Sequence, residues 1–331
     1  MTNSKKSQYK AIALFSGGLD SLLTVKWMQK AGYTVYPVYF LTPYMPVERA
    51  LESARANQID IIVRDITTEH LTMMQDPQTS FGKNLNPCVD CHALMFRLAG
   101  DMLSELDAHY LISGEVLGQR PMSQRRDAMN RVAKLSGYRD LLVRPLSQKL
   151  LRETTPIREA WVDINDMLDF SGRGRTRQIT LAKELGITEF PAPAGGCLLT
   201  DRNYSMRLKD LMQHHQTQTQ NLELLLYGRH FRMDNDTKLI IGRDEAENMH
   251  MQKLSHGLTI LKANDYPGPL GLLNHSTEEI LQQAIAIFWY YHPKAPESGL
   301  VTISYPDNDS REYMATKAKP ELIKQKRISY D

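Results

Sequence analysis

Long apolar runs, cysteine and net charge are all scarce in this chain of 331 residues. No hydrophobic stretch approaches the ~20 residues of a bilayer span, so no membrane helix is expected. The opening residues MTNSKKSQYK carry no apolar core of a leader peptide, and the chain reads as one without a secretory signal. Forty Lys and Arg against 38 Asp and Glu leave a net charge of +2. That sum neither demands nor excludes nucleic acid, because a local patch decides the matter. The three cysteines, Cys88, Cys91 and Cys197, are too few and odd in number for a disulfide scaffold. They point to a reducing, cytoplasmic setting. What is present is ordinary for a folded protein: 42% hydrophobic and 24% charged residues. The length predicts about two domains, and no internal repeat is found.

The first half alternates strands and helices. Lys10 to Phe15 is a short apolar run that stops at Ser16-Gly17-Gly18, and a helical stretch follows up to Gly32. Thr34 to Phe40 and Ile59 to Ile66 read as strands, Pro46 to Asn57 as a helix, and Thr67-Thr68 as the cap of another. Asp76 to Pro87 has turn composition. Cys91 to Leu106 places Leu94, Met95, Leu98, Met102 and Leu106 on one helical face, and Tyr110 to Ser113 is a fourth strand. Strands separated by helices predict an α/β fold with a doubly wound parallel sheet, whose ligands bind at the carboxyl ends of the strands. The register changes near Pro191 to Gly196. A polar stretch, Gln213 to Gln220, reads as a helix end plus a connection. Strand pieces at Lys238 to Ile241 and Thr259 to Leu261, with a helix at Thr277 to Tyr290, predict a smaller α+β domain. The boundaries are drawn at 1–203 and 204–331.

Ser16-Gly17-Gly18-Leu19-Asp20-Ser21 lies between the first strand and its helix. Glycines let backbone approach a ligand and take φ > 0. The helix N-terminus offers free N–H groups and a positive dipole end to phosphate. Asp20 would repel phosphate, so its carboxylate makes sense beside Mg²⁺. Cys88-Val89-Asp90-Cys91 stands at a loop-to-helix junction, and Cys197 follows Gly195-Gly196. Three thiolates suit a 4Fe-4S cluster with one open iron, a zinc ion with His92 as fourth ligand, or a persulfide-bearing redox pair of Cys91 and Cys197. His92 directly follows Cys91, a poor place from which to join the same metal.

The SGGLDS string resembles the PP-loop of the ATP pyrophosphatase superfamily. That resemblance implies ATP cleaved between its α and β phosphates and an adenylated acceptor oxygen. The P-C-x-x-C string with a distant cysteine resembles cluster-dependent tRNA thiouridine synthetases. It implies Cys88, Cys91 and Cys197 as ligands of a 4Fe-4S cluster, with Asp20, Cys91 and Cys197 in catalysis. Ser113-Gly114-Glu115-Val116-Leu117-Gly118-Gln119 and Arg144-Pro145-Leu146 are similar to segments of the tRNA 4-thiouridine synthetase family. Cys91 to Ala99, with Met95 and Arg97, agrees. Gly114 and Gln119 thereby join Ser16, Gly17, Gly18, Asp20 and Ser21 as expected ATP contacts. Pro121-Met122 departs from the small residues of that family.

From Gly118 to Gln178 there are thirteen Lys and Arg against seven Asp and Glu. Arg120, Arg144, Arg173, Arg175 and Arg177 are the expected RNA-phosphate contacts of this patch. Ile240 to Asn248 with Asp265 to Pro269 resembles the RNA-binding domain of NFACT proteins. The tail residues Lys317, Lys319, Lys324, Lys326 and Arg327 add further basic charge against Glu321. The expectation is therefore an ATP-dependent tRNA sulfurtransferase that makes 4-thiouridine at tRNA position 8. Its partners would be tRNA and a sulfur donor, sulfide or a cysteine desulfurase, with no membrane and room for a homodimer. A 2-thiouridine synthetase and a zinc-containing PP-loop amide or nitrile synthetase acting on a small molecule are the alternatives.

Overall fold

The computed structural model describes residues 6–45, 47–82, 84–192 and 197–329. Gly195 and Gly196, expected to crowd Cys197, lie outside the described residues. The chain divides into two compact units between Cys197 and Leu198. No helix among the described residues is long and apolar enough to cross a membrane.

The first unit is built on five strands: β1 (Lys10–Leu14), β2 (Thr34–Leu41), β3 (Ile62–Asp65), β4 (Tyr110–Ser113) and β5 (Leu142–Val143). They pair in parallel in the order β3-β2-β1-β4-β5. The helices are α1 (Leu19–Lys30), α2 (Glu48–Ala56), α3 (Thr67–Gln75), α4 (Cys88–Asp101), α5 (Arg126–Ser136), α6 (Thr155–Arg158) and α7 (Thr176–Glu184). Alternation within β1 shows why the sheet is covered on both faces. Ala11 and Ala13 join the core formed with Leu22, Val25 and Met28 of α1 and Leu181 of α7. Ile12 points the other way, into the core formed with Leu94 and Phe96 of α4 and Val132 of α5. Each such fully buried large side chain stabilises the fold by roughly 1.5–3 kcal/mol. The chain runs β1-β2-β3 outward, then crosses back to place β4 on the other side of β1. That reversal makes the carboxyl ends of β1 and β4 the crevice of the sheet.

Two boundaries differ from the sequence reading. Helix α4 begins at Cys88, so both cysteines of the C-x-x-C pair lie within its first turns. Helix α3 begins at Thr67, whose N–H is taken by Asp65 Oδ1 at 2.8 Å, so the aspartate fills the capping role assigned to the threonines.

The second unit is an antiparallel sheet of β6 (Arg229–Arg232), β7 (Lys238–Ile241), β8 (Thr259–Lys262), β9 (Gly271–Leu273), β10 (Ser298–Ser304) and β11 (Ser310–Thr316), ordered β11-β10-β8-β9-β7-β6. Its helices are α8 (Arg202–Gln213), α9 (Thr219–Leu224), α10 (Glu245–Lys253), α11 (Glu278–Tyr290) and α12 (Pro320–Lys326). The polar stretch after Gln213 is the connection between α8 and α9. Thr277 Oγ1 caps α11, which buries Leu281, Ile285, Phe288 and Trp289 against Phe231, Leu261 and Val301. Arg327, just past α12, bridges to Phe231 at the outer margin of β6, and Ile328 N donates to His230 O at 2.9 Å.

Candidate active site

The crevice between β1 and β4 carries the glycine loop. Gly17 takes φ +74°, and a Cβ there would lie 2.7 Å from Ala50 Cα, so only glycine fits between β1 and α2. Ser53 Oγ of α2 donates to Gly17 O at 2.7 Å and fixes the turn. Gly18 is the N-cap of α1 and offers it no side-chain cap. Ser21 Oγ turns back to Gly18 O at 2.8 Å, and Ser16 Oγ lies 3.4 Å from both Gly18 N and Ser21 Oγ. The start of α1 therefore keeps the positive dipole end and donor groups that suit an anion.

Gly114, after β4, closes the other wall. A Cβ on it would come within 2.5 Å of Asp20 O and 2.8 Å of Ser21 N. Beyond it, Gln119 Nε2 donates to Asp20 Oδ2 at 2.6 Å, and Gln178 Nε2 of α7 donates to Gln119 Oε1 at 2.9 Å. Asp20 Oδ1 is buried and has no hydrogen-bond partner. Burial pushes the Asp20 pKa up, while Gln119 and the charges of Arg175 and Arg120 pull it back. A buried, orphaned carboxylate oxygen beside an uncapped helix start is a donor set that fits a hard divalent cation such as Mg²⁺. Arg175 supplies the complementary feature: its Nε is buried and has no acceptor.

The segment holding Arg173, Arg175 and Arg177 is anchored to this crevice. Leu117 bridges Ser171, and Gly172 N donates to Leu117 O at 2.7 Å. Arg173 is exposed. Arg177 is exposed but engaged, 2.5 Å from Asp169 Oδ1 and stacked over Phe170 at 4.3 Å. Arg144 departs from the sequence expectation. Its guanidinium is buried, with Nε 2.7 Å from Glu115 Oε2 and Nη2 3.3 Å from Met129 O. A side chain so enclosed cannot reach an RNA phosphate, and Arg144 is a counter-ion of the crevice wall.

Glu115 is the centre of that wall. Its second oxygen lies 3.2 Å from His92 Nδ1, and Ser113 Oγ donates to Oε2 at 3.2 Å. Burial opposes its ionisation, yet Arg144 and His92 prevail and lower its pKa to about 2. The His92 ring thus pairs through Nδ1 with Glu115.

The cysteines adjoin the same wall. Cys91 N donates to Pro87 O at 2.8 Å, and Cys88, Cys91 and Cys197 are partly buried and outside any disulfide. Burial pushes the Cys91 thiol pKa up, and the neighbouring Cys197 and Cys88 raise it further. Burial also raises Cys88, against the pull of Arg120. Cys91 thus feels both other sulfurs, and among the described residues no group of three His, Cys, Asp or Glu side chains closes into a metal-binding cluster. Tyr44 lines the same patch: burial raises its pKa, as do Cys197 and Cys91, and its ring lies 5.0 Å from that of buried His70.

Asp90, between the two cysteines, was overlooked by motif reading. Its carboxylate accepts Gln78 N at 3.0 Å, Thr79 N at 3.1 Å and Thr79 Oγ1, and so ties Gln78 and Thr79 to α4. The acidic residue in a first helical turn was a legible signal. Gln178 had none, because its role rests on a contact 59 residues away.

A five-stranded parallel sheet with this glycine loop at its switch point defines the PP-loop class of α/β folds. Residues 6–148 match the family described as thiamine biosynthesis protein (ThiI), and residues 228–327 match the NFACT protein RNA binding domain. The two matches fall in separate units of the chain, the first on the parallel sheet and the second on the antiparallel sheet. A probable tRNA sulfurtransferase of Thermococcus kodakarensis is 31% identical over 150 residues, covering 41% of this chain and 38% of that protein. One of Ureaplasma parvum serovar 3 is 27% identical over 144 residues, covering 41% of this chain and 36% of that protein. The chain therefore matches little more than a third of the length of these curated relatives. Among solved structures, a 4-thiouridine synthetase–RNA complex with bound ATP aligns at 19% identity with a TM-score of 0.41, covering 66% of this chain and 52% of that one.

Proposed function

We propose that the chain is an ATP-dependent tRNA sulfurtransferase, with residues 1–203 for the chemistry and 204–331 for RNA. One observation carries this reading above all. Arg120 is within electrostatic reach of both Asp20 in the glycine loop and Cys88 in the thiol patch. One charge thus acts on both the glycine loop and the first cysteine, which supports placing the phosphate cradle and the thiols on one crevice. The relatives' names, tRNA sulfurtransferase, support the same activity.

In this reading a uridine carbonyl oxygen attacks the α-phosphorus of ATP and pyrophosphate leaves, giving an adenylated base. Gly17, Gly18 and the start of α1 hold the phosphates by backbone N–H groups. Arg175 and Arg120 stabilise charge on the leaving pyrophosphate. Gln178 holds Gln119, and Gln119 holds Asp20, so the carboxylate is fixed before substrate arrives. Mg²⁺ beside Asp20 would neutralise the triphosphate, and a 4Fe-4S cluster on Cys88, Cys91 and Cys197 would present the sulfur atom. Sulfur attack at the activated carbon then expels AMP. The target base must leave its stack to reach a crevice of this kind. The motifs at residues 113–119 and 144–146 favour 4-thiouridine at position 8, with sulfide or a cysteine desulfurase as donor.

The test is nucleoside mass spectrometry of a tRNA transcript incubated anaerobically with the purified chain, Mg-ATP and sulfide. The expected result is an ATP-dependent thiouridine, lost in Cys197→Ala while ATP binding persists. Absence of every thiolated nucleoside with an intact cluster in place would overturn the proposal. A colourless zinc protein that releases pyrophosphate without tRNA would favour the small-molecule synthetase.

A further inference from the structure

The second unit carries a surface that no motif assigned. Arg229 opens β6. Its Nη1 donates to Gly242 O at 3.0 Å, and its guanidinium lies 4.7 Å from the centre of the Tyr291 ring. Arg327 pairs opposite Phe231 across the outer margin of β6. Directly opposed residues and those two apart share a sheet face, so Arg327, Phe231 and Arg229 project on one side. Tyr291 packs on Phe231 at 5.9 Å, with the Arg229 guanidinium over its ring and the charge of Arg327 also felt there. Tyr290 meets Tyr291 edge-on at 5.3 Å and leaves 38% of its surface exposed.

Arg207 of α8 completes the group. Its Nη1 donates to Leu225 O at 2.8 Å, while its Nε is buried with no acceptor. Burial lowers its pKa to about 10, with Arg243 and Arg327 contributing. Carboxylates are close but engaged. Glu247 accepts the Arg243 guanidinium, Arg243 N and Gly228 N, and Asp201 Oδ1 caps α8 through Tyr204 N. Among the described residues, Arg207, Arg229 and Arg327 have no carboxylate within salt-bridge distance. Arginines whose nearby carboxylates are already engaged by other partners keep attraction to spare for an external anion. Tyr291 under the Arg229 guanidinium, with exposed Tyr290 edge-on to it, is an arrangement able to receive a phosphate and an unstacked base together.

We propose that Arg207, Arg229 and Arg327, with Tyr290 and Tyr291, form a single-stranded RNA site, the arginines holding phosphodiester groups and Tyr290 stacking a base. The inference rests on the RNA-binding role proposed for this unit and names the surface that performs it. A base-paired helix would supply phosphates but no free base face, so a loop or an end is the favoured target.

The test uses the full chain and a fluorescein-labelled twelve-nucleotide oligouridine, followed by anisotropy from low to high salt. The double variant R229Q/R327Q should bind on the order of tenfold or more weakly. Its log affinity should fall less steeply with log salt, by about 0.7 for each phosphate no longer neutralised. Tyr290→Ala should weaken binding on the order of fivefold or more with the salt slope unchanged. Should the double variant misfold, R327Q alone alters an exposed side chain and carries the same expectation. Wild-type affinity and slope in these variants, while the parent chain binds, would overturn this site and leave the RNA-binding role intact. A parent chain that binds no RNA would overturn both.

Discussion

Arg144 and Glu115 form a buried ion pair, 2.7 Å from Nε to Oε2, just past the carboxyl end of β4. Removing one partner leaves the other charge buried without compensation, at a cost on the order of 3–5 kcal/mol. Arg144→Met should therefore shift the denaturation midpoint of the first unit strongly. Unchanged stability in urea titrations followed by fluorescence would show that the pair does not support the wall.

The same carboxyl dictates an acid response. With a folded pKa of about 2, below the usual Glu value, Glu115 adds stability that is present above about pH 4.5. That stability is lost as pH falls from there toward 2. His70 acts in a higher window. Burial lowers its pKa to about 4, so stability declines as pH drops from about 6.5 toward 4, where the unfolded chain takes the proton first. His70→Leu should flatten the upper part of the stability profile measured by thermal melts, and a profile superimposable on the parent's would refute the assignment.

Gly114 should tolerate no side chain. A methyl group would press into the Asp20 carbonyl and the Ser21 amide, both backbone, which cannot rotate away. Gly114→Ala is expected to cost about 1–3 kcal/mol and to weaken ATP binding by calorimetry. Retention of both properties would mean that the loop after β4 is free to move away from α1.

Asp20, Gln119 and Gln178 should act as a graded series. Asp20→Asn is expected to reduce pyrophosphate release by two orders of magnitude or more. Gln178→Ala, which leaves Asp20 present but unsupported, should lose less, on the order of tenfold. Arg175→Gln should weaken ATP while leaving AMP binding nearly unchanged. Equal losses for ATP and AMP would remove Arg175 from the pyrophosphate end.

Much of this was legible in the residues themselves. The run of β1 into Ser16-Gly17-Gly18 signals strand, turn and helix start, because glycine and apolar periodicity are local features. The cysteine pair was legible as a loop-to-helix junction, although α4 begins three residues earlier than the apolar face implied, since a helix start needs no apolar residue. Arg144 was misread as a surface cation because sequence carries no sign of burial, and its partner Glu115 is 29 residues away. Gln178 and the Tyr291 surface were invisible for the same reason. Both are made by contacts between elements that only folding brings together.

The bridge between Phe231 and Arg327 has an engineering consequence. The segment after α12 occupies backbone groups of β6 that would otherwise be free, the His230 carbonyl among them. A truncation ahead of Arg327 would convert a sealed strand into a template for pairing with a second molecule. Shortened versions of the protein should therefore self-associate, and expression designs are best kept intact through Ile328.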